Sequence, residues 1–258
     1  MKKKSLKTKL KNNELSIGSW ITLGHPAIAE IMATAGFDWL AIDLEHSVIT
    51  IREAEELIRV IDLCGVTPLV RLTFNDSNQI KRVMDAGAHG VIVPMVNSSE
   101  DARKVVESIK YPPIGKRGVG LARAQGYGSS FQEYLEWQKD ESIVIVQIEH
   151  IDAVNNLEEI LSVKGVDGFI VGPYDLSGSM GIPGEFEHLD FHKVMEKVKK
   201  VSMRMGVTGG IHIIEPDFVQ LENKITDGYR FIAYSLDIRM LENHCKAVFN
   251  KSAINKLL

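Results

Sequence analysis

Two acidic residues stand where strongly apolar runs stop. Glu149 closes VIVQIE, and Asp175 lies in GPYDLSGSMG, directly after the run GFIV. Carboxylates beside such runs are costly unless they are paired or hold a cation. Their oxygen donors, with no cysteine nearby, suit a hard divalent ion such as Mg²⁺ or Mn²⁺ better than a thiolate zinc centre. Asp43-Leu44-Glu45-His46 ends a third apolar run, AGFDWLAID. His46 suits proton transfer near neutral pH, and Asp43, three residues earlier, could fix its tautomer. Arg71 ends CGVTPLVR and could clamp a carboxylate or steady an enolate oxygen. Gln147 sits in the VIVQIE run and His212 near the end of MGVTGGI. Plainer readings stand beside these. Asp175 could cap the turn at DLSGS, Arg71 could form a structural salt bridge to Glu45 or Asp43, and His25, His89, His188 and His244 read as satisfied surface histidines.

These residues need elements that bring them to one place. One pattern recurs: a helical stretch ends at glycine and a short buried run follows. It appears after Gly36, Gly65, Gly87, Gly165, Gly206 and Gly228, where a left-handed position closes the helix without a Cβ penalty. Helix starts are marked by the Thr50/Glu53 and Ser98/Asp101 spacings and by Pro216, ahead of Phe218, Leu221 and Ile225. Ile51, Ala54, Ile58 and Ile61 follow the helical period. Strands are expected near 16–22, 38–43, 67–71, 89–95, 143–149, 166–171, 207–211 and 229–234. Runs apolar on both faces imply a parallel sheet covered by helices. Eight such units without a linker predict an α/β fold, a single-domain (β/α)8 TIM barrel over 15–258, preceded by a basic, poorly ordered tail over 1–14. An active site is then expected where the strands end. The insertion YPPIGKRGVGLARAQGYGSS, followed by a helix near Phe131–Lys139, reads as a mobile active-site or interface loop.

The bulk properties exclude several classes. With 258 residues, 45% hydrophobic and 25% charged, the chain is an ordinary globular protein. A net charge of −4 implies no nucleic-acid partner, and no run is long enough for a membrane span. Cys64 and Cys245 show no CxxC spacing, consistent with a reducing cytoplasm. No expected strand contains or ends in lysine, which disfavours a Schiff-base aldolase and leaves a metal-stabilised enolate. Neither a GxGxxG after the first strand nor a P-loop is present.

At these residues the sequence resembles the HpcH/HpaI group of metal-dependent pyruvate aldolases. The carriers are AGFDWLAIDLEH, Arg71 with IKRVMDAGA after it, VPMV, YPPIGKRGVG, VQIE and GPYDLSGSMG. The resemblance implies that Glu149 and Asp175 hold the metal and that His46, assisted by Asp43, is the base. It implies that Arg71 steadies a pyruvate enolate, and that Gln147 with the backbone at Gly172, Pro173 and Tyr174 positions the substrate. Asp85 matches a position that reaches a neighbouring subunit's site, so a homo-oligomer is expected, a hexamer or trimer of dimers. The small-molecule substrate is then a 4-hydroxy-2-oxo acid or a 2-keto-3-deoxy sugar acid. His212 stands where the family often has an apolar residue, and LARAQGYG departs from the usual loop, which opens the identity of the aldehyde half. Two alternatives remain at this point. One is a citrate-lyase-β or malyl-CoA-type lyase, with Lys116, Arg117 and Arg123 as phosphate contacts. The other is a non-catalytic barrel.

Overall fold

The computed structural model describes residues 4–247 and 249. The chain opens with helix α1 (Leu6–Lys11) and strand β1 (Ser16–Ile21). It then alternates α2 (Pro26–Thr34), β2 (Trp39–Asp43), α3 (Ile51–Leu63), β3 (Thr67–Arg71), α4 (Ser77–Asp85), β4 (Gly90–Val93) and α5 (Ser99–Ile109). A 3-10 segment (Arg123–Gly128) and α6 (Phe131–Asp140) precede β5 (Ile143–Ile148). Then come α7 (Ile151–Asn155), α8 (Leu157–Leu161), β6 (Gly168–Val171), α9 (Pro173–Ser179), α10 (Leu189–Met205), β7 (Thr208–Ile213), α11 (Phe218–Thr226), β8 (Phe231–Leu236) and α12 (Asp237–Ala247). The eight strands pair in chain order, all parallel, and β8 closes on β1. This is the expected (β/α)8 barrel. The end of the expected domain, at 248 and 250–258, lies outside the described residues.

Local signals explain the elements. Thr50 and Glu53 form a reciprocal capping box on α3, which satisfies donors that a helix start leaves free. Ser98 accepts from the Asp101 N–H at the start of α5. Asp217, rather than Pro216, caps α11, and Phe218 points outward while Leu221 is buried. Alternation along the strands gives two cores. Ile42, Val70, Val91 and Ile232 face the helices. Trp20, Trp39, Leu69, Ile92, Ile145, Ile170 and Phe231 fill the barrel.

Two expectations are corrected. Residues 6–11 are not a disordered tail. Leu6 and Leu10, one helical turn apart, are 3% and 2% exposed and join the inner core. Lys7 and Lys9 pair with Asp167 and Asp38, and the Leu10 carbonyl accepts from the Thr208 hydroxyl at 2.7 Å. The lysines stay at the rim while the leucines plug the floor. The glycine-rich insertion, in turn, is not at the mouth. It follows α5 and leads through α6 into β5, so it lies on the side of the strands' N-terminal ends, and Gln125 within it is fully buried beside Tyr111 and Asp85.

Candidate active site

The parallel register places Asp43 beside Arg71 at the C-terminal ends of β2 and β3. Arg71 donates from Nε to Asp43 Oδ1 at 2.9 Å and from Nη2 to Oδ2 at 2.6 Å. This two-pronged bond is the geometry a guanidinium makes best. The Trp20 ring lies 4.4 Å from the guanidinium carbon, and Glu45 approaches Arg71 Nη1 at 3.3 Å. The salt bridge expected as a plainer reading is therefore real, and it fixes the direction of Arg71. Asp43, 1% exposed, also accepts the backbone N–H groups of Glu45 and His46.

That arrangement corrects the expected Asp43–His46 pair. The Asp43 carboxylate is taken up by Arg71 and by backbone, so its contact with His46 is to the main chain only. The carboxylate beside the imidazole is Glu45, with Oε2 3.7 Å from His46 Nε2. The His46 side chain is 65% exposed, free to meet a substrate. Burial pushes the Glu45 carboxyl up to about 7. The charge of Arg71 opposes this, and Glu149, Asp43 and Asp175 add to it.

Glu149 follows β5 and is 3% exposed. Gln147 Nε2 donates to its Oε2, and the Met95 N–H donates to Oε1 at 2.6 Å. Burial still raises its pKa above the usual carboxylate value, against both hydrogen bonds. Gly172 makes room for it, because a Cβ there would lie 3.0 Å from both Glu149 Cβ and Oε2. Three residues on, Asp175 occupies the first turn of α9 and is exposed. Among the described residues its carboxylate makes no hydrogen bond or ion pair, so it does not serve as the expected turn cap. Pro173 begins α9, and Tyr174 packs edge-on against Phe186 at 4.8 Å.

His212 joins the rim from β7, its ring 5.7 Å from that of Trp20. Burial, helped by the charge of Arg71, pushes its pKa down to about 4, so the imidazole is neutral. A cavity of about 660 Å³ between α10 and α11 reaches the rim at Pro173, Tyr174 and His212. Asp85 is not brought to this mouth. It ends α4, where Gln125 Nε2 donates to it at 3.3 Å. Sequence reasoning passed over Trp20 and the Met95 N–H, and treated Glu45 only as a possible partner of Arg71. The inward phase of β1 was a usable signal for Trp20. The Met95 contact depends on a positive φ of 52° that no short motif announces.

The donor set fits a divalent ion. Burial raises the Glu45 and Glu149 carboxyls, the nearby charge of Asp175 adds to both, and Arg71 is the cation facing them. The buried atoms Glu45 Oε2, Gln147 Oε1 and His212 Nε2 find no hydrogen-bond partner, although such atoms are normally satisfied. Among the described residues no group of three or more His, Cys, Asp or Glu converges as a metal cage. Glu149 and Asp175 would thus supply two oxygen ligands and leave the remaining positions to water and substrate, as magnesium sites commonly do.

The family model described as HpcH/HpaI aldolase/citrate lyase matches residues 16–243. A hydroxypyruvate/pyruvate aldolase of Sagittula stellata is 38% identical over 241 residues, covering 93% of this chain and 94% of that protein. A 2-keto-3-deoxy-L-rhamnonate aldolase of Escherichia coli O9:H4 is 36% identical, covering 90% and 86%. The crystal structure of an HpcH/HpaI aldolase/citrate lyase family protein from Burkholderia cenocepacia superposes with a TM-score of 0.91 at 32% identity, covering 96% of this chain and 99% of that one. Fold and sequence agree: the chain belongs to the HpcH/HpaI aldolase/citrate lyase family.

Proposed function

We propose that this protein is a metal-dependent class II pyruvate aldolase, a carbon–carbon lyase. Its substrate is a 4-hydroxy-2-oxo acid or a 2-keto-3-deoxy sugar acid, which it splits reversibly into pyruvate and an aldehyde. The observation that carries the reading is the single rim on which Arg71, held by Asp43 and Trp20, faces Glu45, Glu149 and Asp175. A divalent cation at Glu149 and Asp175, Mg²⁺ or Mn²⁺, would supply Lewis-acid polarisation of the 2-keto group.

The side chains supply the rest. His46 takes the proton of the C4 hydroxyl, and Glu45 beside it steadies the imidazolium that forms. The C3–C4 bond breaks, its electrons move into the enolate of pyruvate, and the aldehyde departs. Arg71 meets the developing charge on the enolate oxygen with donors already in place, so little reorganisation accompanies the step. Gln147 and the first turn of α9, from Gly172 to Tyr174, line the place of the pyruvate carboxylate. Protonation of the enolate at C3 completes the cycle. The two aldolase relatives, both named for 2-oxo acid chemistry, support this substrate class. In a cytoplasmic hexamer Asp85 serves a neighbouring copy's mouth rather than its own. A reading as a CoA-ester lyase loses its phosphate contacts: Arg123 is tied to Asp62, and Arg117 is buried beneath Tyr134 on the flank.

The test is exchange of the pyruvate methyl protons in D₂O, followed by NMR. Exchange is expected with Mg²⁺ or Mn²⁺, and loss of it with chelator or in Glu149→Gln. Absence of exchange with every divalent ion would sink the aldolase reading, and full exchange in Glu149→Gln would sink the metal assignment.

A further inference from the structure

We propose that Met95 is a positioning residue for the metal: its left-handed backbone aims an N–H at Glu149 and fixes the direction in which that carboxylate faces. The inference rests on the metal reading above and deepens it. It assigns the role to the main chain rather than to the exposed thioether. Met95 has φ 52°, and its side chain is 49% exposed. In that conformation Cβ crowds the following carbonyl oxygen, which short polar side chains such as Asn can offset by local hydrogen bonding. Met has no such group.

The chain on both sides imposes the turn. Val93 pairs with Val146 at the last rung of β4, and Pro94 and Val96 are buried. Beyond them the Asn97 N–H donates to Asp101 Oδ2 at 3.2 Å, and the Asn97 carbonyl accepts from Asn156 Nδ2 at 2.9 Å. Between these anchors Met95 turns its side chain outward and its N–H inward, 2.6 Å from Glu149 Oε1. Strain of this kind persists only where the surroundings over-determine it, and it concentrates at ligand clamps. The consequence falls on Glu149. Gln147 holds Oε2 and Met95 holds Oε1, so the carboxylate cannot rotate about its last bond without breaking one of the two. Each oxygen keeps a further lone pair for a cation. A ligand held in this way needs no ordering when the ion arrives, and groups that orient ligands contribute strongly to affinity.

The test is a series graded by backbone preference rather than by side-chain chemistry: Met95→Gly, Met95→Asn and Met95→Val. Glycine and asparagine accept a left-handed φ, whereas a β-branched residue resists it. The readout is Mn²⁺ affinity by calorimetry on the full-length protein, with the melting temperature in chelator as the check on folding. Parent-like affinity is expected for the Gly and Asn variants, and a loss of about fivefold or more for Val, the scale of the left-handed penalty. A role for the thioether predicts instead that all three weaken binding alike. That outcome, or equal affinity across the whole series, overturns the proposal. Should the Val variant fail to fold, the Gly and Asn variants alone decide between main chain and thioether. A parent that binds Mn²⁺ no better than Glu149→Gln overturns the metal reading and this inference with it, so the two failures are told apart.

Discussion

Asp43→Asn tests whether the buried Arg71 fork is what holds the rim ready for reaction. Asn keeps the shape and one acceptor oxygen but loses the charge and one of the two bonds, those at 2.9 and 2.6 Å. Removing one partner of a buried ion pair typically costs about 3–5 kcal/mol. Here the loss is smaller, because Arg71 retains Glu45 at 3.3 Å and the Trp20 ring, the latter contact worth about 1 kcal/mol. A net destabilisation of about 2–3 kcal/mol remains. With the unfolding entropy of a chain this size, that lowers the melting temperature by about 4–6 °C. The effect on rate should be larger. A guanidinium free to swing no longer meets the enolate oxygen, and loss of one such preorganised donor costs about 10²–10³ in kcat. The assays are thermal unfolding and metal-dependent pyruvate methyl exchange on the same sample. Exchange within threefold of the parent, with the melting temperature lowered as expected, would show that the fork stabilises the fold without orienting Arg71 for chemistry. An unchanged melting temperature would refute the structural half of the reasoning.

Glu45 predicts a pH dependence. Its folded pKa, about 7, stands above the reference value of 4.5, so its contribution to stability is fully present below 4.5 and is lost as pH rises through 7. In chelator, the parent should therefore lose stability across that window and Glu45→Gln should lose less; parallel profiles would contradict the assignment. Gly172→Ala should push the Glu149 carboxylate, since the added Cβ meets it at 3.0 Å. Metal affinity measured by calorimetry should then fall by about 10–100-fold, as it does when groups that orient a ligand are disturbed, and unaltered affinity would show that the carboxylate has room to give.

The sequence disclosed most of the frame because its signals are local. Gly36, Gly65, Gly87, Gly165, Gly206 and Gly228 all adopt positive φ, and each marks a helix end before a strand, so the βα repeat could be counted without any tertiary knowledge. Glu149, Asp175 and Arg71 were legible for the same reason, as polar residues at the ends of apolar runs. What failed was long-range. Asp43 sits three residues from His46 in sequence, yet the β2–β3 register gives it to Arg71, 28 residues away, so the bridge offered only as the plainer reading displaces the side-chain pair with His46. Leu6 and Leu10 had a visible helical spacing, but lysines crowd around them and the cavity that receives them forms only when eight strands close. The active-site reading of the insertion at 111–130 failed although its parity was readable: a loop that follows a helix belongs to the strands' N-terminal ends.

The plug formed by α1 also fixes the polarity of the whole particle. Leu6 and Leu10 seal the pole opposite the catalytic rim, and Lys4 beside them is held by Glu14 at 2.6 Å. Anything joined ahead of Leu6 therefore departs from the closed pole. Immobilised by that end, the protein would present its open rim to the solution, and a fused partner would sit behind the barrel rather than across its entrance.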